Sequence, residues 1–290
     1  MARSVPAHAV GGGAALHSNP RPARGGNEDA GHVDPALGVA IVADGLGGMP
    51  AGRLASDTAV EVIRRRIALA AANAASLDDS RLASLVAGGL IDANAAISDL
   101  AALAPDCAGM AASAAVAWLV DDRIVVAHVG DCRVYLYRDD GLRRLTRDHT
   151  LAEYGLDAPP LAEVRPRERR KNRLVAGSTP LASILTGILG ASAQVSVDTR
   201  VIPAWPGDVV LVCSDGLTDA VDDSAIASIV DACDGDSAAI ALALSMAAGR
   251  ERAADDVTIA VLGVADDAAV RDKGAGFPEQ GHRETSDKVE

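Results

Sequence analysis

Aromatic side chains are nearly absent. Two Trp, three Tyr and one Phe make up 2% of the 290 residues, so the stacking platforms that hold bases or sugars are missing. A formal charge of −13 and an isoelectric point near 4.8 act in the same direction, because an acidic surface repels phosphate backbones. Nucleic acid is therefore not an expected ligand, and part of the acidity is free to serve as metal ligands. The four cysteines, Cys107, Cys132, Cys213 and Cys233, lie far apart with no Cys-x-x-Cys pair, which leaves neither a zinc knuckle nor a dithiol redox motif. Reduced thiols and a cytoplasmic location are expected. Residues 1–13 carry Arg3 but no long apolar core, so no signal peptide is expected. No run reaches the roughly 18 consecutive apolar residues of a bilayer span, so no membrane association is expected either.

What is present is 49% hydrophobic content, enough for a substantial core packed from Ala, Val, Leu and Ile. Residues 1–23, rich in Ala, Gly, Pro and Arg, read as a flexible lead with one edge strand near Val10–His17. A strand over Leu37–Ala43 precedes a Gly-rich turn and a helix over 52–74, with Leu54, Ala55, Ala59, Val62, Ile63 and Ile67 at helical spacing. A second amphipathic helix is expected over 80–103, with Leu82, Leu85, Val86, Ile91 and Ile97 inward and Gly88-Gly89 as a place that could bend. From Gly109 to Thr146 short apolar runs alternate with Asp- and Gly-rich turns, which predicts an antiparallel meander. Such a sheet, together with the lack of a Gly-x-Gly-x-x-Gly run between strand and helix, argues against a doubly wound nucleotide fold.

Short helices are predicted at 148–154, 184–190, 215–221, 224–231 and 237–248, and strands at 195–202, 209–213 and 257–264. Residues 152–183, with Pro159-Pro160 and Arg165, Arg167, Arg169, Arg170, Lys171 and Arg173, form a basic insertion, readable as a docking patch or as a solvated flap. Residues 265–290 read as a disordered tail, leaving one folded domain over 24–264.

Three places end an apolar run in carboxylate and glycine or start one from carboxylates: Asp44-Gly45, Asp215-Gly216 and Asp255-Asp256. A lone Asp-Gly is usually only a turn. Three of them around strands that can share a fold suggest a hard-cation site, because Mg2+ and Mn2+ prefer oxygen ligands and two ions about 3.5–4 Å apart need a bridging carboxylate. Asp44 is the best candidate bridge, the Gly45 carbonyl a further ligand, and Asp215 with Asp255 or Asp256 the remainder. Arg24 could hold phosphate oxygens through its fork of donors.

The ordered motifs Arg24-x-x-Asn27-Glu28-Asp29, Asp44-Gly45-x-Gly47-Gly48, Gly130-Asp131-x-Arg133, Leu145-Thr146-x-Asp148-His149, Ser214-Asp215-Gly216-Leu217 and Asp255-Asp256-Val257-Thr258 resemble those of the metal-dependent protein serine/threonine phosphatases of type 2C, in their compact bacterial form. The resemblance spans 24 to about 264. It implies an α+β fold, a four-layer α-β-β-α sandwich of two mostly antiparallel sheets flanked by helices. It further implies two Mn2+ or Mg2+ ions held by Asp44, Gly45, Asp215 and Asp255, with Asp256 the second choice because Asn usually stands there. Glu28 and Asp29 match positions that bind metal-bound water, Arg24 matches the phosphate-binding arginine, and Asp131 with Asp215 matches the ligands of a third ion.

The residues 152–183 match a mobile flap that influences substrate choice. The implied activity is hydrolysis of phosphoserine and phosphothreonine on proteins by metal-activated hydroxide, opposing a bacterial serine/threonine kinase, in a monomer. Leu46 and Met49 stand where some members carry His, so leaving-group protonation is expected to depend on water. Ala111-Ala112-Ser113 and Cys132 replace small polar family residues and read as packing changes. A phosphoprotein-sensing module without catalysis and a phosphatase of a small metabolite are the alternatives.

Overall fold

The computed structural model describes residues 13–20, 26–46, 48, 51–155, 184–251, 253 and 255–265. Its strands are β1 (Ala14–Asn19), β2 (Asp29–Asp34), β3 (Val39–Leu46), β4 (Ala111–Val120), β5 (Arg123–Val129), β6 (Arg133–Arg138), β7 (Gly141–Arg144), β8 (Asp198–Pro203), β9 (Val209–Cys213) and β10 (Val257–Gly263). The helices are α1 (Ala51–Ala74), α2 (Asp79–Leu103), α3 (Asp215–Thr218), α4 (Asp223–Ala232) and α5 (Ser237–Arg250).

Two five-stranded sheets result, in the orders β1-β10-β9-β6-β7 and β2-β3-β4-β5-β8, with every strand pair antiparallel. Three apolar layers hold them. Val39, Ile41 and Ala43 of β3 and Val116 and Trp118 of β4 face α1 and α2. Ala40 and Val42, with Ala115, Ala117 and Leu119, turn the other way and meet Val210, Val212, Ala260 and Leu262 between the sheets. Leu211, Ile259 and Val261 then face Leu244 and Ile240 of α5. The expected α-β-β-α sandwich is thus present. Its inner strands are apolar on both sides because each sheet is covered on both faces, so period-2 alternation is lost although the strands are antiparallel.

Helix α2 is long and apolar enough, by length and composition, to cross a bilayer, but Leu82, Val86, Leu90, Ala93 and Ile97 are buried in the layer it shares with α1. It runs through Gly88-Gly89 as one continuous helix. The absent Cβ of Gly88 leaves room for the Arg66 guanidinium, 2.4 Å from where that atom would lie, so these glycines serve helix packing. Leu54 and Ile91, expected inward, are 39% and 51% exposed. Each sits one residue, about 100° of helix rotation, beside the buried stripe that runs through Ala55 and Leu90.

Other expectations are corrected. The meander is divided, β4 and β5 lying in one sheet and β6 and β7 in the other. The switch occurs at Gly130, whose φ of +97° turns the chain across the sandwich end. The 184–190 stretch is not a helix but meets the sheet ends through isolated bridges, Thr150 with Leu185 and Ala112 with Leu189. Residues 151–155 form turns and not a helix, and β8 begins at Asp198, later than expected. The edge strand expected in the lead lies at Ala14–Asn19 and pairs with β10, so part of that lead belongs to the folded unit.

Trp118 is the largest side chain in the layer under α1 and α2, 1% exposed, and its Nε1 donates to the Leu37 carbonyl at 2.9 Å. Trp118→Ala removes this volume from a layer otherwise built of Ala, Val, Leu and Ile with one Met, which offers no second aromatic to fill the gap. A loss of about 3–5 kcal/mol is expected, read as a lowered urea midpoint at unchanged slope. A loss under about 1 kcal/mol would mean that the layer collapses around the gap.

Candidate metal centre

The site forms where one end of both sheets meets. In the first sheet β9 ends at Cys213, and Ser214 then stands just before the short helix α3, which starts with Asp215. In the second, Asp44 lies near the end of β3, paired across to Asp29 of β2 on one side and Ser113 of β4 on the other. Asp131 comes from the crossing between the sheets, immediately after Gly130. A Cβ on Gly130 would lie 2.3 Å from that of Ser113, so glycine lets the crossing chain settle directly over the strand that flanks Asp44. Carboxylate oxygens of Asp44, Asp131 and Asp215 come within 4.8 Å of one another, Asp44 buried and the other two half-buried.

The surrounding acids are held by named contacts. Glu28 and Asp29 are buried at 3% and 1% exposure. Asp29 Oδ2 accepts from Ser214 Oγ at 2.7 Å, and the same hydroxyl accepts from the Thr258 amide at 2.9 Å. One serine therefore ties β2 to β9 and β10, from opposite sheets. The Glu28 carboxylate lies against the start of α1, where a Cβ on Gly52 would fall 2.4 Å from Glu28 Oε1. The Gly45 amide donates to the Glu28 carbonyl at 3.2 Å, and Ser56 Oγ donates to that carbonyl as well.

Asp255 and Asp256 have different surroundings. Asp256 is 3% exposed and its Oδ2 accepts from the Glu28 amide at 2.7 Å. Asp255 is half-buried, with Oδ1 accepting from the Asp256 amide at 3.0 Å, and lies outside the 4.8 Å group. Arg24 and most of the basic flap, 156–183, fall outside the described residues, as do 1–12 and the tail 266–290.

Sequence reasoning assigned no role to Ser214, Ser56 or Gly52. Ser214 stood within a motif, but its function as a link between sheets depends on long-range contacts. The Arg of Gly-Asp-x-Arg is structural: Arg133 binds Asp148 through three hydrogen bonds of 2.7 to 3.1 Å and meets Tyr135 Oη at 3.1 Å. Burial pulls the Arg133 pKa down, but the bonds to Asp148 outweigh it and raise the value overall. Cys132 does pack, as expected, with its Sγ 3.1 Å from Ser113 Oγ, and burial pushes its pKa well up. The thiol is thus kept protonated beside the acids.

An all-oxygen set of converging carboxylates fits a hard divalent cation. Fold and site together define a class: an α-β-β-α sandwich with a carboxylate cation site at the joined ends of its two sheets. The family described as protein phosphatase 2C matches residues 26–234, and the chain belongs to that family. It is 32% identical over 207 residues to the serine/threonine phosphatase stp of Listeria innocua, covering 70% of this chain and 77% of that protein. With the serine/threonine protein phosphatase PstP of Mycobacterium tuberculosis it shares 31% identity over 209 residues, 70% of this chain and 36% of that longer protein. The solved catalytic domain of PstP in complex with two manganese ions superposes with a TM-score of 0.70 at 26% identity, over 88% of this chain and 98% of that one.

Proposed function

We propose that this chain is a manganese- or magnesium-dependent phosphatase that removes phosphate from phosphoserine and phosphothreonine on proteins. The observation that carries the reading is the convergence of Asp44, Asp131 and Asp215 at the sandwich end. Asp44, the Gly45 carbonyl, Asp215 and Asp255 would hold two ions, and Asp131 with Asp215 a third. Asp255 and Asp256 each accept a backbone amide, and the more open position of half-buried Asp255 beside 3%-exposed Asp256 favours Asp255 as the ligand. Bound ions of this kind lower the pKa of water and neutralise charge on phosphoryl oxygens.

The chain's own residues do the positioning. Ser214 orients Asp29, and the Glu28 carbonyl, gripped by Gly45 and Ser56, holds the neighbouring carboxylate against α1. Glu28 and Asp29 would orient water, and Arg24 would take the phosphate oxygens. Beside His149 opens a cleft of about 340 Å3 whose walls include Thr186, Ser192, Gln194 and Ser196. The same reading includes action as a monomer in the cytoplasm against the products of a serine/threonine kinase.

The test is hydrolysis of a phosphothreonine peptide and of a sugar phosphate with Mn2+, with chelator, and with Mn2+ restored. Turnover of the peptide is expected with metal, lost with chelator and regained on re-addition. Metal-independent turnover would contradict the proposal. Faster turnover of the sugar phosphate would favour a metabolite as substrate, and no turnover with Mn2+ bound would favour a sensing module.

A further inference from the structure

The Leu145–His149 segment supplies no ligand to the carboxylate group. Asp148 is occupied by Arg133, and His149 turns to Gly130. That contact is reciprocal: the His149 amide donates to the Gly130 carbonyl at 2.9 Å, and the Gly130 amide lies 3.3 Å from His149 Nδ1 as donor. Gly130 immediately precedes Asp131 and takes a φ of +97°, so its peptide plane directs the chain that carries this carboxylate.

A backbone amide can donate only to an unprotonated Nδ1, so the neutral ring carries its proton on Nε2. Nε2 lies 3.4 Å from Asp198 Oδ2 without hydrogen-bond geometry, so the carboxylate favours that tautomer by charge alone. The ring is fixed on its other sides. His128 packs on it with centroids 4.7 Å apart and is itself anchored by Nε2 to the Arg147 carbonyl at 2.8 Å. Thr186 donates its amide to the His149 carbonyl at 2.7 Å, and a Cβ on Gly187 would come within 2.7 Å of Nδ1.

His128, His149 and Asp198 could themselves be taken for a metal site, since their ligand atoms also lie within 4.8 Å of one another. The geometry favours a different use. A metal on His149 Nε2 would require the proton on Nδ1, where the Gly130 amide already points.

We infer that His149 is a positioning residue for the metal centre: its imidazole, facing Asp198, accepts the Gly130 amide and thereby sets the place of the Asp131 carboxylate. The inference rests on Asp131 being a metal ligand. Loss of the acceptor frees the Val129-Gly130 peptide, and with it the φ of Gly130 that aims Asp131, and weakens metal binding, while the carboxylate itself stays in the chain.

The test is the Mn2+ dependence of phosphothreonine-peptide hydrolysis for the wild type, His149→Gln, His149→Asn and Asp198→Ala, with the metal-free melting temperature of each. His149→Gln reaches toward the Nε2 position and leaves no acceptor at Nδ1. It is expected to raise the Mn2+ concentration for half-maximal activity about ten-fold, as for other residues that orient metal ligands, with a much smaller change in kcat at saturating Mn2+. His149→Asn puts a carbonyl oxygen near the Nδ1 position and is expected to restore most of the affinity. Asp198→Ala, at a half-exposed side chain, is expected to shift the Mn2+ requirement in the same direction and decides the matter if the His149 variants do not fold. An unchanged Mn2+ requirement in His149→Gln or, failing that, in Asp198→Ala overturns the inference. So do equal shifts in the Gln and Asn variants, or a fall in melting temperature and kcat with no change in metal requirement. Wild-type turnover independent of Mn2+ would instead remove the phosphatase reading itself.

Discussion

Asp44→Asn or Asp215→Asn is expected to lower manganese-supported hydrolysis of a phosphothreonine peptide by about 10³-fold or more, equivalent to roughly 4 kcal/mol of transition-state stabilisation. Asn keeps the shape of the side chain but replaces an anionic oxygen with a neutral amide in a group whose oxygens lie within 4.8 Å of one another. The ion then loses both a ligand and a compensating charge, and raising Mn2+ recovers little of the rate. Folding should be spared. Carboxylates this close repel one another in the metal-free protein, so removing one charge is expected to leave the metal-free urea midpoint no lower than that of the wild type. Turnover within ten-fold of the wild type would show that the carboxylate is not a ligand. A matching collapse of the urea midpoint would assign it to the fold.

Gly45→Ala acts by a different route. A Cβ there would sit 2.0 Å from the Gly52 carbonyl oxygen, 2.4 Å from its carbonyl carbon and 2.7 Å from the Glu28 carbonyl oxygen. All three are backbone atoms, so no side-chain rotation relieves the clash, and either the start of α1 or the β2 end must move. That movement displaces Glu28 and the Gly45 carbonyl together. A destabilisation of about 3 kcal/mol is expected, at the upper end of overpacking costs, together with loss of most activity at any Mn2+ concentration. Gly249→Ala in α5, where nothing lies within 4 Å of the new Cβ, serves as the control and should gain up to about 1 kcal/mol from helix propensity. If Gly45→Ala matched the wild type in melting temperature and turnover, the close approach of α1 to β3 would not be needed.

Asp44, Asp215 and the Asp255-Asp256 pair were legible because each terminates or opens an apolar run, a local pattern, whereas Asp131, Glu28 and Asp29 entered only through the resemblance of their motifs. Helices α1 and α2 were legible in the same local way, since their buried stripes follow the helical period closely enough to misplace only Leu54 and Ile91. Less legible were elements without a period of their own. Residues 184–190 look helical by composition, but they are shaped by bridges to Thr150 and Ala112 and by the contact of Gly187 with His149. Strand order was hidden as well. Short runs joined by tight turns imply neighbours in one sheet, and only the φ of Gly130 and the layer that Cys132 enters reveal that the chain has changed sheets.

By itself the sequence determined which residues can serve as hard-cation ligands and that apolar strands would carry them, since donor chemistry and hydrophobic runs are properties of short segments. Tertiary structure alone decided that Asp44 from one sheet, Asp215 from the other and Asp131 from the crossing share one corner. It also decided that Ser214, Gly52 and His149 hold that corner in shape. Those roles are distances between residues far apart in the chain, and they exist only once two sheets have packed face to face.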